Sequence, residues 1–289
     1  MVDNCADSKA RIFVALTPKI FEQMTRLIAG SMAAGRYEVR LAQSVQEIEA
    51  AQNLRYEVLF KESGGRISRE MLTTGREEDE WDEIAYHVVV LDRNEVGSIV
   101  GTVRLVSGQA LRSGQLFYTE HAFDLSGLRR HYQATLELSR ACVSTEGRGG
   151  AILMLLWKFT MQFIAENNYD VLFGCASFAG TDYLQHTEIL SYLYHEHLAE
   201  QELMPKVRDE VSSVAIKDFH VPPAKGKARG QVPTLLRGYL KIGARISDHA
   251  VIDSVFNTTF VAIYVDAKEM FNSNHILVNN SLAHPDSHD

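Results

Sequence analysis

The stretch LELSRACVSTEGRGGAILMLLWKF, residues 136–159, constrains the fold more than any other part of the chain. It opens as a strand carrying Glu137 and Arg140, crosses glycines at 147, 149 and 150, and then runs apolar for two helical turns. A helix start presents unpartnered backbone amides and a partial positive charge, so an anion can sit there. Glycine lets the backbone approach a phosphate closely, and Arg148 stands within a turn of the helix start, where it can hold a single phosphate.

Around this joint the chain alternates strand and helix periods. YEVRLA reads as a strand, SVQEIEAAQNLRYEVLFKE as a helix opened by Ser44, and EIAYHVVVLD with SIVGTVRLVS as two strands joined by a turn at Asn94–Gly97. After the joint come a buried strand, YDVLFGCAS, a Tyr- and His-rich helix, YLQHTEILSYLYHEHLAEQEL, a loop, and a final strand pair in AVIDSVFNTTFVAIYV. This order predicts an α/β (α+β) fold with a largely antiparallel central sheet flanked by helices. Residues 39–268 form the expected domain, preceded by an amphipathic segment over 1–38 and followed by a flexible polar tail over 269–289.

The N-terminal segment offers Thr17 as a helix cap, Pro18 at the first helical position, and Leu16 and Phe21 as a hydrophobic staple. From Lys9 to Arg36 it carries Lys9, Arg11, Lys19, Arg26 and Arg36 against Glu22, a net +4. Two readings stay open: a basic helix lying on an anionic membrane surface, or a helix packed on its own domain.

The net charge of −8 argues against nucleic acid as a partner, which demands clustered Lys and Arg. Cys5, Cys142 and Cys175 are too scattered for a disulfide framework or a zinc site, which points to a reducing cytoplasm. No apolar run reaches the roughly 18–20 residues that span a bilayer. The expected location is therefore cytoplasmic, with peripheral attachment to the inner face of the cytoplasmic membrane as the second reading.

Taken together, RYEVLF (55–60), DEWDEIAYH (79–87), GTVRL (101–105), ELSRACV (137–143), LFGCASFAG (172–180) and VPTLLRGYLKIGA (232–244) resemble the ornithine-acyl-ACP N-acyltransferases. The similarity covers roughly residues 39–266 in order. A more distant similarity to acyl-homoserine-lactone synthases rests on Arg55, Asp79, Asp82, Arg104, Glu137 and Arg140. The resemblance implies the GCN5-related N-acyltransferase fold. It also implies transfer of a (3-hydroxy)acyl group from acyl carrier protein to the α-amine of ornithine, forming lyso-ornithine lipid. The donor would be acyl-phosphopantetheine, with no permanently bound cofactor. GCN5-related enzymes have Gln or Arg at the first position of the glycine turn, where this chain has Glu146; Gly149 and Ala151 fit. A carboxylate there would repel a pyrophosphate, so a carrier-protein donor is expected over coenzyme A.

An amine at neutral pH must lose a proton before it attacks a thioester. Glu137 is assigned as the base and Arg140 as its orienting partner; a buried ion pair between the two is the competing reading. Asp79 and Asp82 are read as holding the acceptor's ammonium groups, or as part of a solvated acidic run. Arg104 would take the acceptor carboxylate, and Arg55 would brace the 79–82 loop. Val143, Arg148, Gly149 and Gly150 are the expected donor-binding residues. Phe117, Tyr118, Phe123, Leu153, Leu156 and Trp157 are candidates for the acyl-chain pocket, or plain core. No metal is expected: His195 and His197 fall on different helix faces, and Cys175 sits in an apolar strand that keeps its thiol protonated. Two further functions stay in view, transfer to a different amino acid and a non-catalytic carrier-protein- or membrane-binding module of the same fold.

Overall fold

A computed structural model describes residues 30–95, 97–147, 150–209, 211–219, 230 and 232–272. The expected N-terminal helix around Thr17 and Pro18, the tail beyond residue 272, and Arg148 and Gly149 lie outside the described residues.

The strands are β1 Met32–Ala34, β2 Tyr37–Leu41, β3 Tyr86–Asp92, β4 Ile99–Ser107, β5 Phe123–Asp124, β6 Thr135–Val143, β7 Val171–Ala179, β8 Lys206–Val207, β9 Ser213–Ala215, β10 Arg245–Ile246, β11 His249–Asp253 and β12 Thr258–Asp266. One sheet runs β1-β2-β3-β4-β6-β7-β12-β11-β9, with β10 alongside β12, while β5 and β8 form a separate pair. Every neighbouring pair is antiparallel except β6 and β7. That exception follows from the joint: a strand, an apolar helix and a second strand make a parallel crossover.

The helices are α1 Val45–Tyr56, α2 Arg69–Thr74, α3 Ser126–His131, α4 Ala151–Glu166, α5 Thr187–His197 and α6 Thr234–Lys241. Ser44 caps α1 by accepting from the Glu47 amide at 3.2 Å, and α1 runs on into a π-turn over Glu57–Glu62. In α4, Ile152, Leu155, Leu156, Phe159, Phe163 and Ile164 are all buried against the sheet. Each contributes about 1.5–3 kcal/mol relative to exposure. On the opposite face a second core gathers Phe117, Phe123, Leu128, Phe173 and Phe260. Strand β4 is buried along almost its whole length because both cores press on it.

Two boundaries differ from the sequence reading. The helix expected over 183–203 begins as a 3-10 turn at Tyr183–His186 and ends at His197, because Leu198 bridges to Ile246 and the Ala199 amide donates to the Ile246 carbonyl at 3.0 Å. At the other end, Met270 is fully buried in the main core and residues 267–272 are helical, so the ordered chain extends past 268.

Candidate active site

The parallel pairing of β6 and β7 stops at Leu138 and Gly174. Beyond that point β6 follows β4 to Val143 and β7 follows β12 to Ala179, so a wedge opens between them. Gly174 sits at its apex, where a Cβ would lie 2.3 Å from the Leu138 carbonyl oxygen. Opposite Val103 of β4, strand β6 carries an extra residue; Arg140, with φ of 55°, lies in this bulge. A non-glycine residue in the left-handed region is strained and persists only where its surroundings hold it.

The wedge leads into a cleft of about 250 Å³. Ser139 and Arg140 wall it on one side, Cys175 and Ser177 on the other, with Tyr118 and Thr119 at its floor. Leu59 from the π-turn, Tyr239 from α6, and Asp253 and Phe256 from the β11–β12 corner complete it. The lining is mainly apolar, which suits an acyl or pantetheine chain.

Arg140 is anchored by charge. Its Nε donates to Glu77 Oε1 at 2.9 Å and one Nη to Asp79 Oδ2 at 2.9 Å, while the Tyr118 and Phe256 ring centroids lie 4.3 and 4.7 Å from its guanidinium carbon. Arg55 grips Asp82 through both Nη atoms at 2.8 and 2.7 Å and places Nε 2.6 Å from Glu77 Oε2. Arg104 bonds Asp79, reaches Asp82 Oδ1 at 3.0 Å, and donates from Nε to Ser139 Oγ at 3.1 Å. Three guanidinium groups thus balance three carboxylates in a nearly water-free cluster. Burial alone would raise the Asp82 pKa, but hydrogen bonds and charge from Arg55, with Arg104 beside it, hold it well below the usual carboxylate range. Glu77 is lowered too: burial works against it, and Arg140 and Arg55 outweigh burial.

Glu137 lives differently. It is completely buried, and its carboxylate accepts from the backbone amides of Tyr118 at 3.2 Å and Thr119 at 2.7 Å, with no ion pair among the described residues. Burial raises its pKa, opposed only in part by the Thr119 amide and hydroxyl. The Thr119 hydroxyl lies 3.6 Å from Cys175 Sγ, so Thr119 stands between Glu137 and the cleft. Burial pushes the Cys175 thiol and the Tyr118 hydroxyl each up to about 12, and both stay protonated.

The structure therefore holds Glu137 on the Tyr118 and Thr119 amides and gathers Arg140 with Arg55, Asp79, Asp82 and Arg104 into the adjoining charge cluster, so Arg140 bonds Glu77 and Asp79 where the sequence reading had it orienting Glu137. Phe117 and Phe123 are fully buried in the second core, away from the cleft lining. Leu156 is core, and Leu153 is half-buried on α4. Trp157 packs against Tyr239 at 4.3 Å between ring centroids, so it supports the cleft wall from behind. Val143 ends β6 opposite Gly101, and Gly150, with φ of 85°, precedes α4 with no side-chain cap at that helix start among the described residues. The sequence reading missed Thr119, Ser139, Tyr239, Asp253 and Phe256. Of these only Ser139 had a local signal, two residues along the strand from Glu137.

Residues 54–158 match the family model described as an acetyltransferase (GNAT) domain. The L-ornithine N(alpha)-acyltransferase of Agrobacterium fabrum is 34% identical over 239 residues, 79% of this chain and 80% of its own length. The enzyme of that name from Rhodobacter capsulatus is 34% identical over 244 residues, covering 81% and 91%. The one from Brucella abortus is 35% identical over 249 residues, covering 79% and 84%. Among solved structures, an N-acyl amino acid synthase from uncultured soil microbes overlays with a TM-score of 0.42 at 11% identity, over 83% of this chain and 96% of that one. The wedge, the glycine-led helix and the carboxylate beside the cleft thus lie in an N-acyltransferase, and by the extent of these matches the chain belongs to the L-ornithine N(alpha)-acyltransferase family.

Proposed function

We propose that the chain transfers a long acyl group from the phosphopantetheine thioester of acyl carrier protein to the α-amine of ornithine, releasing the carrier thiol and lyso-ornithine lipid. The observation that carries this reading is Glu137: a buried carboxylate, free of any ion pair among the described residues, with its basicity raised, one hydroxyl away from the wedge. The ornithine α-ammonium gives up a proton through the Thr119 hydroxyl to Glu137, and the freed amine attacks the thioester carbonyl. Collapse of the tetrahedral adduct breaks the C–S bond; the adduct nitrogen gives up its extra proton and the departing thiolate takes one, a transfer the Tyr118 hydroxyl in the cleft can relay while ending protonated. A thiol with a pKa of about 12 is a poor nucleophile, so the amine attacks the thioester directly and not through an acyl-Cys175.

Donor choice rests on the glycine turn. The start of α4, with no side-chain cap among the described residues, would offer amides to one phosphodiester, while a carboxylate at Glu146 in the sequence disfavours the extra charge of a pyrophosphate. The basic N-terminal segment would keep the product's exit near an anionic membrane.

The test is acyl transfer by the purified chain from acyl carrier protein and coenzyme A thioesters of one chain length to a panel of amino acids, read by mass spectrometry. The expected product is Nα-acylornithine, formed faster from the carrier protein. Absence of acylornithine overturns the acceptor; equal kcat/KM for both thioesters overturns the donor.

A further inference from the structure

The charge cluster has a consequence for recognition. Asp79 and Asp82, the acids expected to hold the acceptor's ammonium groups, are already bonded to Arg55, Arg104 and Arg140. Drawing either away to bind a ligand would strip a buried guanidinium of its partner, a strongly unfavourable exchange. The cationic arm of the acceptor must find another carboxylate.

Asp253 offers one. It ends β11 at the corner with β12, and it is half-buried. Its Oδ1 accepts from the Val255 and Phe256 amides at 2.7 and 3.1 Å, which fixes the side chain, while Oδ2 has no hydrogen-bond or ion-pair partner among the described residues. A second cavity of about 270 Å³ lies beside the cleft, lined by His121, Val211 and Ser212 among others. Tyr118, Cys175, Asp253 and Phe260 line both spaces, so Asp253 stands at the partition between them. Its charge is also felt at the Tyr118 hydroxyl and the Cys175 thiol, the two groups nearest the proposed chemistry.

We infer that Asp253 is the specificity residue of the acceptor site, holding the side-chain ammonium of a diamino acid from the second cavity while the α-amine points to Thr119 and the thioester. This rests on the proposed ornithine acceptor and adds a reason for α-selectivity. The tethered ammonium stays charged and cannot attack, so the other amine is the one that reacts. The neighbouring Tyr118 and Phe260 rings supply an apolar path for the methylene arm.

The test compares ornithine with norvaline, the same backbone without the terminal amine, for the wild type, Asp253→Asn and Asp253→Ser. Asn and Ser both keep an oxygen that can accept from the corner amides, so the turn retains its cap. The wild type should prefer ornithine by about tenfold to hundredfold in kcat/KM, the range of a charge-assisted hydrogen bond. Both variants should bring that ratio near one, through KM for ornithine. A wild-type ratio near one, or a variant ratio unchanged from wild type, overturns the Asp253 site while leaving ornithine acylation standing. Failure of the wild type to acylate ornithine at all overturns the acceptor reading and this site with it.

Discussion

Asp82, with a side-chain exposure of 8%, and Glu137, completely buried, are both largely withdrawn from water, yet they are driven in opposite directions. Asp82 meets two guanidinium groups and is held well below the usual carboxylate range; Glu137 meets backbone amides and a hydroxyl and is raised. Burial sets the cost of the charge, and the partner decides whether that cost is recovered. A carboxylate locked to arginine has little affinity left for a proton, so the 77–82 loop works as a brace. Glu137 keeps its basicity and lies one hydroxyl from the cleft, where a proton has to be taken.

The largest effect should come from breaking the brace. Arg55 is almost fully buried, and Arg55→Met would strand Glu77 and Asp82 without their shared cation. Stability should fall by about 3–5 kcal/mol in a urea melt. A loss below about 1 kcal/mol would mean that water reaches the cluster and the contrast with Glu137 is not one of partners.

A smaller but sharper effect is expected at Thr119. Thr119→Val keeps the shape and the backbone amide that holds Glu137 but removes the hydroxyl between Glu137 and the cleft. Acyl transfer should drop about a hundredfold, near 2.7 kcal/mol of barrier, with Thr119→Ser retaining most of the rate and melting like wild type. Wild-type rates for the valine variant would show that Glu137 communicates with the substrate by another route, or not at all.

Local features were legible in the chain and long-range ones were not. Strand and helix periods revealed the order of elements around the glycine joint, and the presence of Glu137 and Arg140 on one strand was visible because they lie within a few residues of each other; that Arg140 turns to Glu77 and Asp79 and leaves Glu137 to backbone amides was not. The acids at 79 and 82 were visible as acids. Their occupation by Arg55, Arg104 and Arg140 depends on β4 and β6 lying side by side beneath α1, which no local pattern encodes. Asp253 and Phe256 reach the cleft only because β11 and β12 continue the sheet beyond β7. Phe117 and Phe123 looked like pocket residues for the reason they are core: large aromatic side chains serve either role, and only the packing distinguishes them.

The proposed role of Glu137 as proton acceptor is decided by the pH dependence of kcat/KM in wild type and Glu137→Gln. A base must be unprotonated, and its raised pKa places the acid limb above the ordinary glutamate value of about 4.3. In the wild type, kcat/KM should therefore rise with pH through that limb. In Glu137→Gln the limb should vanish and the plateau fall by about 10²- to 10⁴-fold, with donor binding retained. A variant that keeps the wild-type profile and a rate within a few-fold of it would place the base elsewhere and contradict the account.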